Sequence, residues 1–188
     1  MKTAILCRTN APLITCAFDL IKRGVKVRVV GKDIATKLKE VVGEVLDTLR
    51  NCEIAEFLIL LDGWISDIHD KFGDNDKHEA YVAECDDYYA CVKVMGENVD
   101  DAAGVYTTID TFFVDNDEIA AEDDSVLLCS GHRSKGLEFD RVVILRPDLM
   151  PHPGARTEAD LQQEANLEYV MKTRAMKEMI VCHDSAPQ

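Results

Sequence analysis

Residues 125–145 read SVLLCSGHRSKGLEFDRVVIL, and their pattern indicates the architecture of the chain. Two nearly unbroken apolar runs, at 125–130 and 140–145, enclose a polar segment. Strands of a one-sided sheet alternate apolar and polar residues, whereas strands covered on both faces are continuously apolar. The stretch therefore predicts two central strands of a parallel sheet, joined by a polar connection.

The N-terminal residues predict a β-α-β unit. TAILCR at 3–8 and VKVRVVG at 25–31 are short apolar or alternating runs that are typical of strands. Between them, APLITCAFDLIKRG at 11–24 places its apolar residues on one helical face and ends at Gly24, which favours a helix C-terminus. A strand, a helix and a strand in this order form a right-handed crossover between parallel strands.

The C-terminal residues predict one more helix and one more strand. Thr157 and Asp160 fit a capping box, so a helix is expected from Thr157 to about Thr173. EMIVCH at 178–183 then predicts the last strand. The predicted fold class is therefore α/β, with a mostly parallel sheet flanked by helices.

A helical block separates the two parts of this sheet. From about residue 34 to residue 114 the apolar residues recur with helical spacing, and helices are expected at 53–72, 77–95 and 98–113. The acidic segment 115–124 is expected to be a loop. We therefore expect a single domain over residues 1–188, with a helical insertion at about 34–114.

Composition and charge narrow the classes of function. The chain has 188 residues, 47% of them apolar, which is enough for a globular core. Its net charge of −14 argues against simple electrostatic attraction to nucleic acid or an anionic membrane, although residues 131–146 are locally basic. No apolar run is long enough to cross a bilayer. The seven cysteines are scattered without a C-x-x-C pair, which is typical of reduced thiols in a cytoplasmic protein.

The polar connection GHRSKGLE at 131–138 follows a predicted strand, and ligands of parallel sheets bind beyond the carboxyl ends of strands. Ser134 and Gly136 can start a short helix whose free amides bind an anion. Two interpretations are open: a phosphate or nucleotide loop, or a solvated turn in which Lys135 and Glu138 form a surface pair. The P-loop pattern G-x-x-x-x-G-K-[ST] does not occur, so the chain is not expected to cradle ATP phosphates by itself.

Four blocks of the sequence resemble, in order and spacing, the second RecA-like domain of UvrD/Rep-type superfamily 1 DNA helicases. They are TAILCRTNAPL (3–13), GVKVRVVGKDI (24–34), SGHRSKGLEFDRVVIL (130–145) and QQEANLEYVMKTRAMKEMIV (162–181). The first block resembles motif IVa, the third motif V and the fourth motif VI. The resemblance implies a C-terminal, RecA-like motor domain of an ATP-dependent helicase.

The resemblance also implies roles for individual residues. Glu138, with Gly136 beside it, would bind the nucleotide through the ATP ribose. Arg174 would reach the γ-phosphate as the catalytic arginine finger, a role that suits a permanent charge with a fixed fork of donors. ATP and Mg²⁺ would be shared with a P-loop domain that is not in this chain, and no metal ligand is expected here.

Three further residues are implied to contact single-stranded DNA: Arg8, Asn10 and His132. With Glu138 and Arg174, we expect Arg8 and His132 to lie at one edge of the sheet, near the carboxyl ends of its strands. The implied partners are single-stranded DNA and an N-terminal P-loop half, present in cis or in trans, and no membrane. Alone, the chain is expected to have no ATPase activity.

The sequence departs from the family pattern at three of these motif positions. Gly131 stands where Thr is usual before the His of motif V, and Met171 and Lys172 stand where small or apolar residues are usual. An alternative therefore remains open, a non-motor protein-interaction or regulatory domain that retains the helicase fold. A nucleotide-independent DNA mimic is suggested by the charge alone.

Overall fold

A computed structural model of the chain describes residues 1–47, 49, 51–73, 78–114, 124–152 and 154–183. The chain divides into two compact units. An α/β unit comprises residues 1–31 and 114–188, and a helical unit comprises residues 32–113.

In the described part of the chain, six parallel strands form one sheet in the order β3-β2-β4-β1-β5-β6. Leu6 of β1 lies opposite Cys129 of β4 on one side and opposite Ile144 of β5 on the other. The two continuously apolar strands thus occupy interior positions, and the predicted mostly parallel α/β sheet is confirmed. The strands are β1 (Thr3–Cys7), β2 (Val27–Val30), β3 (Phe113–Val114), β4 (Val126–Ser130), β5 (Phe139–Leu145) and β6 (Ala175–Cys182).

The α/β unit contains two α-helices in its described residues, and both follow the predicted pattern. α1 (Ala11–Lys22) is followed by Gly24, whose φ of +76° is a left-handed conformation that glycine adopts at low cost. α6 (Glu158–Lys172) starts with the predicted capping box, in which the Thr157 hydroxyl accepts a hydrogen bond from the Asp160 amide at 3.1 Å.

One buried cluster of the α/β unit lies between α6 and the central strands. Leu167 and Met171 of α6 belong to one buried cluster with Leu6, Val142 and Ile144 of the sheet. Leu167 and Met171 are four residues apart, so they project from one face of the helix. Their burial fixes how α6 lies on the sheet.

The helical unit consists of α2 (Lys32–Leu46), α3 (Ile54–Phe72), α4 (Glu79–Gly96) and α5 (Ala102–Phe112). The last three correspond to the helices expected at 53–72, 77–95 and 98–113. α5 begins after Asp101, whose carboxylate accepts a hydrogen bond from the Gly104 amide at 2.8 Å. Residues 32–113 contain seven Lys and Arg against nineteen Asp and Glu, so this unit carries most of the negative charge.

Two predicted boundaries are wrong. The last strand starts at Ala175 and not at residue 178. The prediction missed its first residues because β6 lies at the sheet edge, where most of its residues are exposed and need not be apolar. The third predicted helix of the block starts only at Ala102, and its last predicted residue, Phe113, belongs to β3. The predicted acidic loop at 115–124 lies outside the described residues except for Asp124.

The helices and the cysteine thiols of the chain have the following properties. Among the described residues, no helix is both apolar and long enough to cross a bilayer. None of the seven cysteines forms a disulfide. Burial raises the pKa of the Cys129 thiol to about 12, which disfavours the reactive thiolate at this position.

Candidate functional site

Segment 131–138 connects β4 to β5. Both strands pair with β1 in parallel, so the segment returns past β1 from the carboxyl end of β4 to the amino end of β5. The Arg133 and Ser134 amides both donate to the Ser130 carbonyl, at 3.0 and 3.1 Å. The Leu137 amide donates to the Ser134 carbonyl at 3.1 Å. Residues 131–136 therefore form turns and not a short helix, and the amides of Arg133, Ser134 and Leu137 are used within the segment.

Gly131, at the start of this segment, packs closely against α6. A Cβ atom at Gly131 would lie 2.5 Å from Sδ of Met171 and 3.2 Å from Cδ1 of Leu167. Gly131 and Met171 are two of the positions at which the sequence departs from the family pattern. The large Met171 side chain fills the space that a Thr at position 131 would need, so the two departures compensate each other. Lys172, the third departure, is exposed and forms an ion pair with Glu168 at 2.6 Å.

The predicted site residues lie at the two opposite ends of the parallel strands. We call these the carboxyl edge and the amino edge of the sheet. Arg8 follows β1 and His132 follows β4, so both lie at carboxyl ends. Glu138 precedes β5 and Arg174 precedes β6, so both lie at amino ends. The expectation that all four would share the carboxyl edge is therefore wrong. The reason is that segment 131–138 and α6 each run from the carboxyl edge back to the amino edge before the next strand begins.

Arg174 is held at the amino edge by neutral acceptors. Its Nε donates to the Val170 carbonyl at 3.0 Å, and its Nη1 donates to the Leu137 carbonyl at 3.1 Å. Its Nη2 donates to the Thr173 hydroxyl at 3.1 Å. Among the described residues no carboxylate neutralises the charge. A guanidinium has five N–H donors, so this arrangement fixes the group and leaves two donors for a ligand.

The backbones of Glu138 and Arg174 lie side by side, just before β5 and β6 begin. The Phe139 amide donates to the Arg174 carbonyl at 3.0 Å, which joins the residue after Glu138 to the one before β6. The Glu138 side chain is exposed and makes no hydrogen bond or ion pair within the described chain. Gly136 has a φ of +79°, which strains any residue with a side chain, so its glycine is required for the turn.

Arg8 has a carboxylate partner that the sequence did not predict. Its Nε and Nη2 each donate to Glu164 of α6 at 2.8 Å, in a bidentate ion pair. The side chains of Arg8 and Glu164 are only 18% and 9% exposed. Glu164 also accepts a hydrogen bond from the His152 amide at 3.0 Å. The pair therefore connects three parts of the fold, which are the loop that follows β1, the helix α6, and the segment that precedes α6.

The sequence carried a signal for Glu164. Glu164, Leu167 and Met171 follow helical spacing, and all three are buried. A carboxylate on the apolar face of a helix needs a buried partner of opposite charge. Burial alone would raise the pKa of Glu164, but the hydrogen bonds from Arg8 and from the His152 amide lower it overall.

The two other residues predicted to contact single-stranded DNA lie near Arg8 at the carboxyl edge. Asn10 directly precedes α1, and its carbonyl accepts from the Ile14 amide at 3.1 Å. Part of the His132 side chain is exposed to solvent. The burial of the rest of the side chain lowers its pKa, and the positive charges of Arg8 and Lys135 lower the pKa further. The imidazole is therefore predominantly neutral at pH 7.

The six-stranded parallel sheet with its flanking helices is a RecA-like arrangement. Residues 96–185 match the family model of the UvrD-like helicase C-terminal domain, to which this part of the chain is similar. The match includes α5, β3 to β6 and α6, whereas the resemblance of residues 1–34 lies outside it. No curated protein sequence matches the chain.

Proposed function

We propose that this chain is the second motor domain of an ATP-dependent DNA helicase, which acts with a P-loop domain supplied in cis or in trans. The observation that carries the proposal is the geometry of Arg174. Three neutral oxygens fix its guanidinium next to the backbone of Glu138 without cancelling its charge. A charged group that is oriented but not neutralised is what a phosphoryl-transfer site requires.

Arg174 would act as the arginine finger. Negative charge spreads over the γ-phosphoryl oxygens during transfer, and a cation fixed beforehand stabilises that charge without reorganising. Its two remaining N–H donors suffice for a bidentate contact with a phosphoryl group. Glu138 would accept a hydrogen bond from a ribose hydroxyl, and Gly136 would shape the turn beside it. Because the finger comes from a second domain, hydrolysis would depend on closure of the cleft between the domains.

ATP and Mg²⁺ would be held jointly with the P-loop domain. The sequence lacks the P-loop pattern. Within the described ranges, no group of three or more His, Cys, Asp or Glu could hold a metal ion. As the resemblance implies, the partner domain would supply the Mg²⁺ ligands, and this chain would contribute contacts to the ribose and the γ-phosphate.

Arg8, Asn10 and His132 would contact single-stranded DNA at the opposite edge. α6 carries Glu164 near this edge and leads to Arg174 at the other, and its 15 residues span about 22 Å. Segment 131–138 likewise leads from His132 to Glu138. Both proposed sites thus share two covalently continuous elements, through which a displacement at the DNA edge would reach the nucleotide edge.

The charge distribution is compatible with DNA binding by the α/β unit. Residues 1–31 and 114–188 contain fourteen Lys and Arg against sixteen Asp and Glu, so this unit is far less acidic than residues 32–113. We propose that the helical unit is an insertion into one helicase domain and does not bind DNA. We also propose a cytoplasmic location, because the buried thiols suit a reducing compartment.

The test is the kinetics of Arg174 and Glu138 variants in the enzyme assembled with a P-loop half. Arg174→Ala should lower kcat on the order of a thousandfold, because the finger acts on the transition state. Arg174→Lys should restore little, since Lys lacks the planar fork. Glu138→Ala should mainly raise KM, because a ribose contact is similar in the ground and transition states.

Lys172→Ala is the matched control, since Lys172 is a nearby exposed cation paired only with Glu168 in the described chain. It should retain wild-type kcat. An Arg174→Ala enzyme with wild-type kcat and an unchanged melting temperature would show that Arg174 is not an arginine finger. That result would favour the alternative, a regulatory or protein-interaction domain, for which the acidity of the helical unit is the supporting observation.

A further inference from the structure

Thr173 lies between the end of α6 and Arg174, and its hydroxyl has a defined orientation. The hydroxyl donates to the Val170 carbonyl at 2.9 Å. Because a hydroxyl has a single hydrogen and two lone pairs, this bond leaves Oγ1 of Thr173 as an acceptor. Nη2 of Arg174 donates to that oxygen at 3.1 Å. The Thr173 hydroxyl therefore presents a lone pair to the guanidinium.

These contacts form a closed ring at the end of α6. The Val170 carbonyl accepts from both the Thr173 hydroxyl and Nε of Arg174, at 2.9 and 3.0 Å. Nε and Nη2 are the donors along one edge of the planar guanidinium. One backbone carbonyl and one hydroxyl therefore occupy that edge together and fix the plane of the group.

Thr173 differs from the other acceptors of Arg174 because its contact is made by a side chain. The remaining acceptors are the carbonyls of Val170 and Leu137, which belong to the backbone. In the described part of the chain, Thr173 is thus the only side chain that accepts a hydrogen bond from Arg174. It is also neutral, so it orients the guanidinium without cancelling the charge, which a carboxylate at this position would do.

We propose that Thr173 is a positioning residue for phosphoryl transfer, which acts through Arg174 and makes no contact of its own with the nucleotide. The inference rests on the proposed function, because it requires Arg174 to be the arginine finger. A cation that is already oriented stabilises the transition state without reorganising, whereas a long side chain that rotates freely must first lose that freedom. Thr173 therefore contributes to kcat and much less to the binding of ATP.

The first experiment measures kcat and KM for ATP with the chain assembled with a UvrD-like P-loop half and single-stranded DNA. Thr173→Val keeps the shape of the side chain and removes the hydroxyl. It should lower kcat on the order of tenfold, the low end of what a hydrogen bond to a charged group provides, with KM nearly unchanged. Thr173→Ser restores the hydroxyl and should recover most of the rate.

Thr107→Val is the matched control, because the exposed Thr107 hydroxyl also donates to a carbonyl of its own helix, that of Ala103 at 3.1 Å. It should keep the wild-type kcat, and melting temperatures should show that each variant is folded. Wild-type kcat for Thr173→Val beside a strong loss for Arg174→Ala would overturn the positioning role and leave the finger in place. Wild-type kcat for Arg174→Ala as well would refute the proposed function itself.

A double substitution tests whether Thr173 acts through Arg174. Lys lacks the Nη2 group, so Thr173→Val should cause no further loss of kcat in an enzyme that already carries Arg174→Lys. A further tenfold loss in that background would assign Thr173 a role independent of the finger and would overturn the proposal.

The mobility of the Arg174 side chain provides a second readout, which uses the full 188-residue chain alone. In ¹⁵N-labelled protein, the Nε–H signal of Arg174 is identified by its loss in Arg174→Lys. Thr173→Val should lower the NMR order parameter of this Nε–H bond, because one side of the ring is opened, whereas Thr107→Val should leave it unchanged. An order parameter that Thr173→Val does not lower would overturn the proposal.

Discussion

Removal of Glu164 should destabilise the α/β unit by several kcal/mol. Its carboxylate makes a bidentate ion pair with Arg8, and the two side chains are only 9% and 18% exposed. Glu164→Ala leaves the Arg8 guanidinium in a poorly solvated site without its partner and frees the His152 amide. Loss of one partner of a buried pair typically costs about 3–5 kcal/mol. We expect a value near the lower end, because part of Arg8 still reaches solvent.

The assay is urea unfolding followed by circular dichroism, arranged as a double-mutant cycle. Arg8→Met with Glu164→Met replaces both charges by apolar groups of similar length. The double variant should be more stable than Glu164→Ala, because no buried charge is left unpaired. Glu40→Ala provides the control, since Glu40 pairs with Lys37 at an exposed position and should hardly change the midpoint. A cost of Glu164→Ala below about 1 kcal/mol, or additive effects in the cycle, would refute this reasoning.

The same pair predicts a dependence on pH. The folded pKa of Glu164 is lowered, so its contribution to stability is fully present above the unfolded value of about 4.3. This contribution is lost as the pH falls through the folded pKa. The stability difference between wild type and Glu164→Gln should therefore shrink on acidification below about pH 4. A difference that stays constant down to pH 2 would contradict the assignment.

Two further predictions concern packing and helix capping. Gly131→Thr should lower the melting temperature because its Cβ meets Met171, whereas Gly131→Thr combined with Met171→Ala should recover most of the loss. A double variant no more stable than Gly131→Thr would argue against this compensation. Thr157→Ala removes the hydroxyl of the capping box and should cost about 1 kcal/mol in urea unfolding, while Thr157→Ser should cost much less. Equal losses for the Ala and Ser variants would argue against the cap.

The sequence predicted those elements whose burial leaves a clear apolar pattern. β4 is buried along almost its whole length and is continuously apolar, and α6 buries Leu167 and Met171 on one face. β6 lies at the edge of the sheet with most residues exposed, so its first residues give no apolar signal. The two-residue strand β3 is too short for any periodicity to emerge.

The arrangement of the candidate site residues could not be predicted from the sequence. The adjacent placement of Glu138 and Arg174 follows from the parallel pairing of β5 and β6. The sequence does not specify that β1 lies between β4 and β5, and this order makes segment 131–138 cross to the amino edge. The contact of Arg8 with Glu164 joins residues 156 positions apart, so local patterns cannot identify the partner.

The central claim is that this chain supplies the second half of an ATPase site, and steady-state ATP turnover tests it most directly. The measurement compares the chain alone, a UvrD-like P-loop half alone and the two together, each with single-stranded DNA. We expect background turnover for each half and DNA-stimulated turnover for the combination, abolished by Arg174→Ala. Turnover by the rigorously purified chain alone, or a combined rate that Arg174→Ala does not reduce, would contradict the central claim.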